Sequence, residues 1–222
     1  MVMSFFRSGG SEGGFEAITA RTVSMLADAR HSFDLAATTI LSGADIDTVA
    51  DDVRSTDQRI NRAEQELRGE LVVHVSVQGT DDIGAVLGYT LLIKKIERIG
   101  DQAKNMLDLA EEGVDLSRGP YTAELTSYRR ALSEMMGEAA DLVANGDSES
   151  AAPFREKADA LVYELESKIR ECMHSDLPGH DVVPRAILFR YWKRIAANLA
   201  GIVNSATEPL RVPDDVETDR DG

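Results

Sequence analysis

The sequence predicts an all-α protein: two tandem antiparallel three-helix bundles made of six long helices. Three observations lead there. Apolar residues recur at helical spacing through most of the 222 residues. Aromatic residues make up only 5% of the chain against 43% apolar, so the core must be built of Leu, Ile, Val, Ala and Met, which suits helix bundles better than sheets. Turn signals cut the periodic stretches into six, three on each side of a linker at Leu116–Pro120. The expected units are 15–115 and 120–208.

The first helix is expected from Phe15 to Leu41, on the stripe Ile18, Thr22, Met25, Leu26, Ala29, Phe33, Ala36 and Ile40, ending at Ser42–Gly43. The second runs from about Asp45 into the middle seventies, with Val49, Val53, Ile60, Leu67 and Leu71 inside. Its last stretch, Leu71–Val77, is β-branched and reads as a strand in isolation; without a partner strand it is taken as the end of the helix. After the turn Gly79–Asp82, with Thr80 as the expected N-cap, the third helix spans Asp81 to about Glu112. Gly84, Gly88 and Gly100 lower its propensity but allow close helix approach, and Gly113 closes it. Pro120 suits a helix start, and the fourth helix follows over 121–144 until Asn145–Gly146 breaks it. The fifth spans 151–173. Pro178–Gly179 marks a turn, and the sixth spans 181–206, with Pro209 as its stop. A weak internal echo supports the repeat: Lys94–Asp101 stands 96 residues before Arg190–Ala197, with Arg and Ile at matching places.

The net charge of -15 disfavours nucleic acid and anionic membrane as partners. Only six of the basic residues are lysines, and an acid-rich, lysine-poor surface is one that high salt tolerates, which points to a halophilic source. Cys172 is the only cysteine, so neither an intramolecular disulfide nor a cysteine zinc cluster is available. No apolar run reaches the length of a membrane span, and Met1–Gly14 does not read as a signal peptide, so a cytoplasmic location without membrane insertion is expected. Ser8–Gly14 and the tail from Pro213 to Gly222 read as disordered.

The chemistry of the chain is concentrated in acidic stripes. Glu97, Asp101 and Asn105 fall at i, i+4 and i+8 on the third helix, and Asp57, Asn61 and Glu64 at i, i+4 and i+7 on the second. If these helices are antiparallel neighbours, four carboxylates and two amides converge. Such oxygen-rich sets suit Mg²⁺, Mn²⁺, Ca²⁺ or iron. The other reading is an ordinary solvated face, with Lys94, Arg98 and Lys104 pairing the acids on the surface. His31, His74, His174 and His180 read as surface or turn residues, and Cys172 near His174 has no orienting acid. Trp192 and Tyr191 read as packing residues. Arg185, Arg190, Lys193 and Arg194 form the one concentration of positive charge, suited to an anion or an acidic partner helix.

The run Ile96-Glu97-Arg98-Ile99-Gly100-Asp101-Gln102-Ala103-Lys104-Asn105, with Asp57, Asn61 and Glu64 upstream, resembles the PhoU family of phosphate-uptake regulators. The resemblance implies two three-helix bundles and a metal-binding Glu/Asp-x-x-x-Asp signature, matched here by Glu97 and Asp101. It also implies a non-enzymatic, negative regulatory role exerted through a phosphate transporter ATPase or a related signalling protein, and a homodimer is expected. The ion is left open among iron, manganese, magnesium, calcium and zinc. In the second half Lys193 and Ala197 stand where the signature would repeat, so one metal site at most is expected, and Lys193 and Arg194 are left for an electrostatic contact with another subunit. The alternative function is a metal-dependent hydrolase or metal-storage protein using the same acidic face.

Overall fold

A computed structural model describes residues 12–79 and 82–208. Among them are six helices: α1 (Glu12–Ser42), α2 (Ile46–Gln78), α3 (Ile83–Glu111), α4 (Thr122–Asn145), α5 (Ala151–Met173) and α6 (Gly179–Thr207). The β-branched end of α2 is helical, because Leu71 and His74 face inward and gain tertiary packing that outweighs the local strand preference. Asp45 is the N-cap of α2, its carboxylate accepting the Asp47 N–H at 3.2 Å. Gly146 ends α4 in the left-handed region, at φ 61, where a side chain would be strained.

Three expectations need correction. Helix α1 begins at Glu12, inside the stretch read as disordered; residues 8–11 and 213–222 lie outside the described residues. Helix α3 starts at Ile83 rather than Asp81; Asp82 stands at its N-cap without a capping bond, its carboxylate being taken by His74 Nε2 at 3.0 Å, and Thr80 lies outside the described residues. His74 itself is no surface residue. It is buried, and Phe15 meets its ring edge-on.

Side-chain pairs fix the directions of the helices. Asp28–Arg59 and His31–Asp52 make α1 and α2 antiparallel, and Arg54–Glu111 and His74–Asp82 do the same for α2 and α3. In the second half Glu138–Lys157 and Glu124–Lys168 run α4 against α5, and Lys193–Glu166 with Asn204–Arg155 run α5 against α6. The bundles lie side by side, with α1 packed on α4 and α3 on α6, and their buried residues form one continuous apolar core. Trp192, fully buried, packs in the core of the second half, with Tyr128 tilted against it and Phe189 meeting it edge-on. A polar knot crosses the α1–α4 seam: Asp34 accepts from Ser133 Oγ at 3.0 Å and pairs with Arg129 at 2.9 Å, and Arg30 Nε donates to Ser133 Oγ at 3.0 Å.

Where α3 crosses α6 the backbones nearly touch. A Cβ on Gly88 would lie 2.9 Å from the carbonyl oxygen of Ser205, whereas one on Gly69, on the exposed side of α2, would meet nothing within 4 Å. Gly88→Ala is therefore expected to destabilise the fold by about 1–3 kcal/mol through overpacking. Gly69→Ala should stabilise it by roughly 0.5–1 kcal/mol through helix propensity alone. Urea unfolding of the two variants checks both signs.

Candidate metal centre

Antiparallel packing brings the two acidic stripes face to face. Gly100 permits it: a Cβ there would sit 3.0 Å from Cδ1 of Ile60, so the bare backbone lets α2 close onto α3 between Glu97 and Asp101. Asp57, Glu64 and Glu97 are buried, and Asn61, Asp101 and Asn105 are half-buried. These are not the solvated stripes of an acidic surface.

Two lysines stand among the acids. Lys94 Nζ lies 2.8 Å from Glu97 Oε2 and 3.5 Å from Glu64 Oε1, bridging the helices; Lys104 Nζ approaches Asp57 Oδ2 at 3.9 Å. Arg68 reaches Glu64 Oε1 at 3.4 Å, and Asn61 Nδ2 donates to Asp57 Oδ2 at 3.4 Å. Arg98 is exposed and pairs with none of them. Asn105 makes no side-chain hydrogen bond among the described residues, so nothing there ties its amide to the carboxylates. The bond to Glu97 holds the Lys94 ammonium above its usual range, against the opposing effect of burial. Asp101 is pushed up, first by burial and then by the negative charges of Glu97 and Asp57. The acids thus feel one another across the helix pair.

As the side chains stand, no group of three or more His, Cys, Asp or Glu among the described residues is arranged to hold a metal ion. The donor set nevertheless fits one. Glu64 Oε1 and Glu97 Oε2 are both buried without a directed hydrogen bond; Lys94 shares its charge between them, and Arg68 reaches Glu64 Oε1 as well. Oxygen donors lacking protons suit a hard cation, which would have to take over the place of that ammonium.

The second bundle answers differently at the matching positions. Lys193 Nζ donates to Glu166 Oε2 at 2.6 Å, so its charge is met inside the chain rather than left for another subunit. Glu164 accepts the Tyr128 hydroxyl at 2.6 Å, and burial followed by that carboxylate pushes the phenol far above its ordinary value. Arg185 stacks on Tyr121 and is buried, while Arg190 and Arg194 are exposed, so the basic residues do not form one patch.

Residues 22–110 match the PhoU domain. The fold agrees over both halves: the crystal structure of PhoU from Pseudomonas aeruginosa superposes with a TM-score of 0.76 at 22% identity, covering 89% of this chain and 97% of that one. No curated protein matches the sequence significantly. The matched PhoU segment contains the whole acidic face, from Asp57 to Asn105. No helix among the described residues is long and apolar enough to cross a membrane.

Sequence reasoning named the acids of the two helices, Lys94 and Lys104, but missed Arg68, four residues after Glu64. It also took the pairs to be exposed. The signal for burial was present in Ile60, Ile96, Ile99 and Gly100, which flank the acids on both helices.

Asp101 carries a sign that can be tested. A carboxyl raised in the folded state holds its proton more tightly there than in the unfolded chain. Its ionised form therefore costs stability at neutral pH, and the cost fades as the pH falls toward the ordinary carboxylate value of 3.8. In chelator-treated protein Asp101→Asn should raise the melting temperature at pH 7 by about 1–3 °C, the scale of a partly screened group. The gain should shrink on titration toward pH 4. A loss of stability at pH 7 would contradict the reading.

Proposed function

We propose that this protein is a non-enzymatic, negative regulator of phosphate uptake. In this reading it acts at the cytoplasmic face by contact with a phosphate transporter ATPase or a related signalling protein, and it binds a divalent or iron ion on the α2–α3 face. The observation that carries the regulatory part is the PhoU domain match over residues 22–110, with the likeness to PhoU in fold extending across both bundles. A homodimer belongs to the same proposal.

The ion would be held by Asp57, Glu64, Glu97 and Asp101, with the Asn61 amide beside them and Asn105 one turn further along α3. Bound there it supplies charge, drawing α2 and α3 together and replacing the Lys94 bridge. A hydrolase would need an open coordination position on a buried cluster. Here Lys94 occupies the space between Glu64 and Glu97, and no observation favours turnover over a structural or regulatory ion.

Added Mn²⁺, Mg²⁺ or Fe²⁺ should raise the melting temperature of the native chain, by about 5–10 °C when the ion stands a hundredfold above its dissociation constant. A D57A/E97A/D101A variant should show no shift; equal shifts in both proteins would remove the metal from the proposal. The contact is tested separately by affinity capture from phosphate-replete cells. Recovery of a phosphate transporter component is expected, and its repeated absence would count against the adaptor role.

A further inference from the structure

One end of the second bundle holds a cleft of about 260 Å³ that plays no part in the acidic face. Tyr121 at the start of α4, Lys168 and Glu171 late in α5, and Arg185 near the start of α6 line it, with Glu124 and Ser175 at its sides. Arg185 is only 6% exposed. Its guanidinium carbon lies 3.6 Å from the centroid of the Tyr121 ring, and its Nε donates to the Asp181 carbonyl at 2.8 Å. The two terminal nitrogens find no acceptor, and no carboxylate among the described residues comes within ion-pairing reach. Arg21, Arg54, Arg59, Arg129 and Arg155, all more exposed, each find one. A largely buried guanidinium without a counter-charge is costly, and Arg185 is the buried arginine among the described residues.

The rest of the lining has complementary chemistry. Lys168 Nζ lies 2.7 Å from Glu124 Oε1 and 3.0 Å from Glu171 Oε2, and these carboxylates hold its ammonium up at about 12. Each keeps a second oxygen free of that lysine. Ser175 Oγ accepts the Leu177 N–H at 3.2 Å and still has its own proton to give. A ligand satisfying this lining must accept hydrogen bonds from a cationic fork and donate one to a carboxylate. Sulfate and carboxylate ions at neutral pH have no proton to donate. Phosphate keeps at least one.

We propose that this cleft binds inorganic phosphate, with the Arg185 fork on two of its oxygens and a P–OH group donating to Glu171. The Tyr121 ring holds the guanidinium flat for that fork. The site belongs to the second bundle alone: 96 residues earlier in the chain stand Tyr89 in place of Arg185, Val72 in place of Lys168 and Val75 in place of Glu171. The proposal stands on the cleft and does not rest on the regulatory reading. Failure to capture a transporter would leave the binding measurement untouched.

Titration calorimetry of the full chain, in a phosphate-free buffer at pH 7, tests it. Inorganic phosphate should give a saturable one-site heat, and sulfate and acetate should bind at least about tenfold more weakly. Arg185→Gln should weaken phosphate at least about tenfold, with the helical circular dichroism unchanged. Since Arg185 packs on Tyr121, the exposed Glu171 supplies an independent variant: Glu171→Gln should shrink the preference for phosphate over sulfate. The proposal is overturned by the absence of saturable heat, by sulfate binding the native chain as well as phosphate, or by a folded Arg185→Gln protein that keeps full affinity. If Arg185→Gln fails to fold, an unchanged phosphate-to-sulfate ratio in Glu171→Gln overturns it.

Discussion

The close approach of α3 to its two neighbours governs the rest of this molecule. Gly88 lets α3 touch the backbone of α6, and Gly100 lets Ile60 of α2 settle against it. The first approach joins the bundles into one core; the second sets the distance at which Asp57 and Glu64 face Glu97 and Asp101. Neither glycine adopts a left-handed conformation, so their value lies in the missing side chain rather than in backbone freedom. Acids at this spacing on a single exposed helix would repel by only a few tenths of a kcal/mol. Brought together in a half-buried seam they require a cation, and Lys94 is placed to act as one.

Much of this was legible in the chain. The helix ends at Gly43, Gly113 and Gly146 follow from turn chemistry that works locally, as does the span of α5, and the facing stripes follow from the 3.6-residue period once the short loops impose antiparallel neighbours. Less visible were features decided by distant contacts. At the start of α3 His74, eight residues upstream, takes the carboxylate of Asp82, which leaves the N-cap without a capping bond. The burial of His74 depends on Phe15, on another helix. The depth of the acidic face depends on Ile60 entering the space beside Gly100, a fit that no single-helix pattern encodes.

The two bundles share a plan and have parted in their use of charge. The first collects acids midway along α2 and α3 and balances them with few cations. The second puts Lys193 at the matching point, closes it onto Glu166, and gives Glu164 to the Tyr128 hydroxyl. Its buried unpaired charge among the described residues lies at the bundle end, in Arg185. Both uses suit a protein of net charge -15, in which each buried cation sits in a long-range negative potential and a surplus acid has few positive groups to reach.

Lys94 makes the first bundle self-sufficient without filling the site completely. An ammonium on a flexible stem carries one charge and three donors, yet Glu64 Oε1 and Glu97 Oε2 still lack a directed hydrogen bond beside it, and Asp101 stays elevated by the acids around it. A divalent ion would carry twice the charge and accept oxygen lone pairs from several directions, answering each deficit at once. Displacing Lys94 costs little by comparison, because its side chain is more than a third exposed and its head group can swing into water. In the proposed reading the helix pair stands with the lysine in place and would tighten with an ion, so that the difference between the two states would lie on the α2–α3 face.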